Sequence, residues 1–176
     1  AAGWNYFWSG TGQNLAFFKK DYIEINGFEK VKNRISGDDM HLVQSISKNK
    51  NGYIHIDPHS FVKTKAMGTV SAFLNQRIRW SSNAKFNFKD SPLFFGFLVT
   101  SFCLNTYIFL SIILGNNWIE VFLFKFISDG FVIFLGSKLF ERKLYPFIYC
   151  LWAIAQPLYV PLIGLLGIKE KFTWKP

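Results

Sequence analysis

Between Leu93 and Leu114 the chain carries no Asp, Glu, Lys or Arg across 22 residues rich in Phe, Leu and Ile. As a helix, a run of about 20 apolar residues crosses the hydrocarbon core of a bilayer. Two further apolar runs follow. Trp118–Gly136 is long enough to cross but carries Glu120, Lys125 and Asp129; Tyr145–Ile168 is uncharged but contains Pro157 and Pro161. Before Pro92, apolar and polar residues mix as they do in a water-soluble domain. The chain therefore divides into a soluble part, residues 1–91, and a transmembrane region, residues 92–176, with two or three membrane helices. It reads as the C-terminal, membrane-embedded part of an integral membrane protein. The opening AAGWNYFWSG has no signal-peptide character and suggests a fragment of a longer protein.

The formal charge of +9 is unevenly shared. The soluble part has 13 Lys/Arg against 7 Asp/Glu, a balance of +6; the membrane region has 7 against 4, or +3. A basic domain beside a membrane suits anionic lipid head groups or a phosphate-bearing substrate. Nucleic acid is not expected as a partner, because there is no Lys/Arg-rich run and no nucleic-acid-binding motif. Basic residues also orient the chain. Arg77, Arg79, Lys85 and Lys89 place the soluble part in the cytoplasm, the neutral Gly115-Asn116-Asn117 lies outside, and Lys138, Arg142 and Lys143 return the chain inside. Lys169, Lys171 and Lys175 would keep the tail inside, whereas a third crossing would export it. One apolar segment is thus expected not to span fully: either the third is re-entrant or interfacial, or the second stops short. Cys103 and Cys150 have no disulfide or metal-ligand spacing and are expected to be buried, inert thiols.

Local patterns in the soluble part predict an α/β mixture. Leu15–Phe18 and Tyr53–Asp57 read as strands, with Phe61–Thr64 another extended piece. Asp21 caps a short helix, Tyr22–Asn26, stopped by Gly27. Met40, Val43 and Ile46 mark the apolar stripe of a second helix opening at Asp38-Asp39, and Thr69 caps a third running to about Lys85. His41 is expected on the exposed side of the second helix. His55-x-Asp57-x-His59 alternates like a metal-binding strand, but Pro58 interrupts it.

Two clusters carry most of the chemical information. Asp38-Asp39 places two carboxylates at a helix N-terminus, where the macrodipole favours ionisation. Both could be caps and solvated charges, or one could cap while the other faces a cleft. Gln76-Arg77-Ile78-Arg79-Trp80 ends the third helix with two guanidiniums and an indole. They could bind a phosphate and stack on a sugar face, or anchor the helix at lipid head groups.

An acidic pair followed 37 residues later by Q-R-x-R-W and then by membrane helices resembles the membrane-bound family 2 glycosyltransferases, the processive type that makes cellulose, hyaluronan or poly-N-acetylglucosamine. Asp38-Asp39 matches the family's acidic pair, usually Glu-Asp, and Gln76-Arg77-Ile78-Arg79-Trp80 its Q-x-x-R-W motif. SGTGQNLAFFKKDYIEINGF resembles the acceptor-side stretch, with Asn26-Gly27-Phe28 where the family has Gly-Gly-Phe. Lys171-Phe172-Thr173-Trp174-Lys175 resembles its C-terminal Trp-Lys pattern.

The resemblance implies a partial GT-A-type glycosyltransferase domain of α/β fold, its C-terminal portion, followed by an all-α membrane region in a bacterial inner membrane. It implies inverting transfer from a nucleotide-sugar donor, UDP-linked by expectation, to a glycan or lipid-linked acceptor. Asp39 would be the general base, and Asp38, Gln76, Arg77, Arg79 and Trp80 would contact substrate. The Mg²⁺ or Mn²⁺ ion of the reaction would be held by a D-x-D motif upstream of Ala1, so the isolated chain is expected to be inactive. The competing expectations are a small non-catalytic membrane-anchored protein and a transporter subunit using Lys125 and Asp129 within the bilayer.

Overall fold

The computed structural model describes residues 2–34, 36–169 and 172. It is 66 % helical with no β-strand among the described residues. In order along the chain, α1 is Lys19–Glu24, α2 Asp38–Ile46, α3 Val70–Ser82, α4 Asn87–Asp90, α5 Pro92–Ile113, α6 Ile119–Leu139 and α7 Pro146–Ile168. The expected α/β fold, with its partial GT-A sheet, is therefore overturned: the described chain is all-helical. The predicted strands are extended backbone, as at Phe18 (φ −75°, ψ 137°) and Asp57 (φ −64°, ψ 124°). Alternation and β-propensity favour extension, but a strand exists only where a second segment completes the hydrogen-bond ladder. These segments have none among the described residues.

The helix boundaries follow local chemistry. Thr69 caps α3, its hydroxyl accepting from Ala72 N–H at 3.1 Å. Asp21 lies buried in the first turn of α1 instead of capping it, and Asn26 and Gly27 end that helix at φ 58° and 53°. Pro92 and Pro146 open α5 and α7, at positions where a missing N–H costs nothing. Pro157 and Pro161 lie within α7, which continues as one helix through both.

The long helices pack around α7. Phe73 meets Tyr159 with ring centroids 6.1 Å apart, and a Cβ at Gly167 would lie 2.5 Å from Ser81 Oγ. Both contacts share the same eight-residue step, so α3 and α7 run parallel through the Phe73, Arg77, Ser81 stripe of α3. Gly167 supplies the close approach. Phe102 of α5 packs on Gly164. α6 runs antiparallel to α7: Lys125 donates to Gln156 Oε1, and Tyr149 packs on Phe126 and Gly130 and donates to the Phe126 carbonyl. Trp8 stacks on Phe94 at 5.4 Å, tying the N-terminal stretch to the start of α5. At the other end of α7, the turn between α6 and α7 meets the soluble part, Phe140 lying 6.1 Å from Phe61.

α5 and α7 are the two helices long and apolar enough to cross a membrane. α6 matches them in length but carries Glu120, Lys125, Asp129 and Lys138. Lys125 is 8 % exposed and bonds both Asp129, one turn along, and Gln156. Cys103 and Cys150 are exposed on their helices, contrary to the buried thiols expected. His41 is also corrected: it is 5 % exposed, inside the soluble part. The ending 171–175, apart from Phe172, lies outside the described residues.

Candidate functional site

α2 begins at Gly37, whose φ of 91° lies in the left-handed region that glycine adopts without strain. Neither aspartate caps the helix through its side chain. Both sit in its first turn, Asp38 exposed and Asp39 half-buried. Asp39 Oδ1 accepts from Met40 N–H at 2.8 Å and Oδ2 from Gly12 N–H at 3.0 Å. The Ser9–Asn14 loop therefore clasps the carboxylate from outside the helix.

That loop is anchored at both ends. Gln44 on α2 donates to the Trp8 carbonyl at 2.7 Å, and Asn14 Nδ2 donates to the Ser60 carbonyl at 3.0 Å. The His55-x-Asp57-x-His59 segment forms the platform beneath. Asp57 Oδ1 accepts from His59 N–H at 2.9 Å and His55 Nδ1 lies 3.1 Å from Ser60 Oγ, so the segment is a hydrogen-bonded turn. No group of three His, Cys, Asp or Glu side chains able to hold a metal converges among the described residues.

A buried amide network joins the start of α2 to the end of α3. Asn83, the C-cap of α3, donates to Ser36 Oγ at 2.7 Å and to the Arg79 carbonyl at 3.4 Å. Its amide fills the space over Gly37, where a Cβ would meet it at 3.1–3.3 Å. One turn on, Asn87 accepts from Gln44 at 2.8 Å and donates to the Asn83 carbonyl at 3.3 Å. The helix start carrying Asp38 and Asp39 is thus set against the helix end carrying Arg79 and Trp80. Sequence reasoning passed over Ser36, Gln44, Asn83 and Asn87. The available signal was Asn83 and Asn87 at i, i+4, with Gln44 in phase with Met40.

The other predicted residues take distinct places. Trp80 is 48 % exposed, with the Arg77 guanidinium 4.4 Å from its ring centroid. Arg77 also lies over Phe73 at 4.8 Å, in the stripe facing α7, and its Nε is buried without a hydrogen-bond partner. Gln76 and Arg79 are half-buried on the same helix.

Behind the site, Arg34 pairs with Asp90 at 3.1 Å and lies over the Phe86 ring at 4.0 Å. His41 is within hydrogen-bond reach of Ser45 Oγ at 3.3 Å. Burial, then the nearby Arg34 charge, lowers its pKa below the usual 6.5.

An open groove of about 390 Å³ lies between Thr11, Gln13 and Asn14, the His55–Val62 segment, and Phe140 and Arg142 of the α6–α7 turn. Arg142 covers the Phe61 ring at 4.9 Å. Comparison of the chain with protein-family profiles, curated proteins and solved structures found no match to any.

Proposed function

We propose that this chain forms the acceptor side of an inverting membrane glycosyltransferase. The observation that carries the reading is the Ser36/Gly37–Asn83–Arg79 link, which ties the first turn of the helix bearing the clasped Asp39 carboxylate to the end of the helix bearing Arg79 and the exposed Trp80 indole. Carboxylate, cation and flat apolar surface are the three chemistries that sugar transfer from a diphosphate donor requires.

In this reading Asp39 removes the proton from an acceptor hydroxyl, using the oxygen lone pairs not engaged by Gly12 and Met40. The hydroxyl oxygen attacks the anomeric carbon, the bond to the donor phosphate breaks, and the nucleoside diphosphate leaves with inversion. Arg79 stabilises charge on the departing phosphate. Trp80 stacks on the acceptor sugar, Gln76 and Asp38 border its mouth, and Arg77 holds Trp80 from behind through its ring contact. Among the described residues no group of three His, Cys, Asp or Glu side chains converges to hold the Mg²⁺ or Mn²⁺ ion that the resemblance implies. The soluble part faces the cytoplasm of a bacterial inner membrane, and α7 lies along it as an interfacial helix. This position gives the basic tail and the basic α6–α7 turn the same side, as the charge distribution requires.

The test is transfer by the full-length protein in membranes, using a panel of nucleotide sugars. Asp39→Asn should reduce turnover by at least about a hundredfold, the usual scale for a lost general base, with donor binding retained. Trp80→Ala should raise the acceptor KM more than the donor KM. Wild-type turnover by Asp39→Asn removes Asp39 as the base. The transporter reading draws support from the buried Lys125; it gains if Asp39→Asn is silent while substitution of Lys125 abolishes function.

A further inference from the structure

Arg142 forms the common wall of two clefts. On one side is the groove beside the Thr11–Asn14 loop; on the other is a cleft of about 450 Å³ at the end of α6, lined by Phe134, Lys138, Lys143 and Leu144. The second cleft is graded. Phe134 and Leu144 are exposed apolar side chains, as are Phe131, Val132 and Leu135 on α6 and Phe147 on α7. Lys138, Arg142 and Lys143 then concentrate three positive charges against the single Glu141. Beyond Arg142 the lining mixes the uncharged polar groups of Thr11, Gln13, Asn14 and His55 with the apolar Phe61, Val62 and Phe140.

Apolar, cationic and then mixed amide and aromatic surface is the order that suits a lipid tail, a phosphate and a sugar-like head group. Guanidinium and ammonium donors recognise phosphoryl oxygens, and amide donors beside ring faces suit a sugar or similar polyol. We propose that the α6–α7 turn binds a phosphate-bearing lipid, its tail against Phe134 and Leu144, its phosphate on Arg142 and Lys143, and its head group in the groove. The head group then lies beside the loop whose Gly12 N–H holds Asp39. Only this last placement rests on the transferase reading.

The experiment uses the full-length protein in phosphatidylcholine nanodiscs, with fluorescent hexadecyl phosphate as probe and hexadecanol as its uncharged counterpart. Saturable binding of the phosphate form is expected. Arg142→Ala should weaken it about tenfold or more, the scale of one charged hydrogen bond, and Arg142→Lys should restore part of it. Lys89→Ala, an equal charge loss at the start of α5, should change binding less than twofold. Equal binding of hexadecanol, equal loss in Lys89→Ala, or an unchanged Arg142→Ala overturns the proposal. So does full competition by phosphatidylglycerol, which marks a general anionic surface. Displacement by inorganic phosphate at matching concentration assigns the site to free phosphate and overturns the lipid assignment. Asp39→Asn separates the two readings: normal probe binding with lost transfer supports both. Lost transfer with Arg142→Ala binding normally sinks the lipid site alone, and intact transfer by Asp39→Asn sinks the transferase alone.

Discussion

Gly37→Ala is the sharpest probe of how the site is assembled. Alanine at φ 91° adopts the left-handed region at a cost of about 1–2 kcal/mol. The new methyl would also stand 3.1 Å from the Asn83 amide carbon. Relief requires Asn83 to shift, which weakens its 2.7 Å bond to Ser36, worth about 1 kcal/mol. Together the terms give a loss of about 2–3 kcal/mol, or a fall in Tm of about 4–12 °C at this chain length. Thermal unfolding in detergent, followed by tryptophan fluorescence, reads it. Gly37→Asn separates the causes: it keeps the crowding, but asparagine tolerates left-handed backbone better, so its Tm should fall between wild type and Gly37→Ala. An alanine variant melting within about 1 °C of wild type, below the effect of 0.5 kcal/mol, would refute the argument. So would an asparagine variant less stable than the alanine one.

The Lys125, Asp129 and Gln156 cluster predicts a non-additive pair. Asp129→Ala should destabilise the protein by about 3–5 kcal/mol because it strands a buried ammonium, whereas Lys125→Met with Asp129→Leu should recover most of that loss. A double-mutant cycle on denaturation midpoints checks this, and additive effects would remove the coupling. His41 predicts acid sensitivity. Its folded pKa is lowered, so the unfolded chain binds the proton more readily; stability is full above pH 6.5 and declines as pH falls from there through the folded pKa. Urea midpoints measured from pH 7.5 to 5 should show that slope, and His41→Gln should flatten it.

Long-range structure was least legible from sequence. Leu93–Leu114 predicted α5 to within a residue because an uncharged run of that length has few alternatives, and the Thr69 cap was correct because its chemistry is local. The sheet failed for the opposite reason. Leu15–Phe18 and Tyr53–Asp57 have strand composition, but nothing local shows whether another segment will pair with them. The acidic pair was correctly placed at a helix start, yet its capping role was misread. The donor to Asp39 lies 27 residues upstream at Gly12, and Gly37 takes the cap position. His41 was assigned to the wrong side because the Met40, Val43, Ile46 stripe is narrow, whereas Met40, His41, Leu42 and Gln44 are all buried. Asn83 could not be recognised as a hinge-pin before its two partners were brought to it.

The shared use of α7 has a mechanical consequence. One helix backs α3 through Gly167 and α5 through Gly164, glycines a single turn apart. A shift of α7 against α3 would press on Ser81 and, two residues on, on the Asn83 cap that holds the foot of the Asp39 helix.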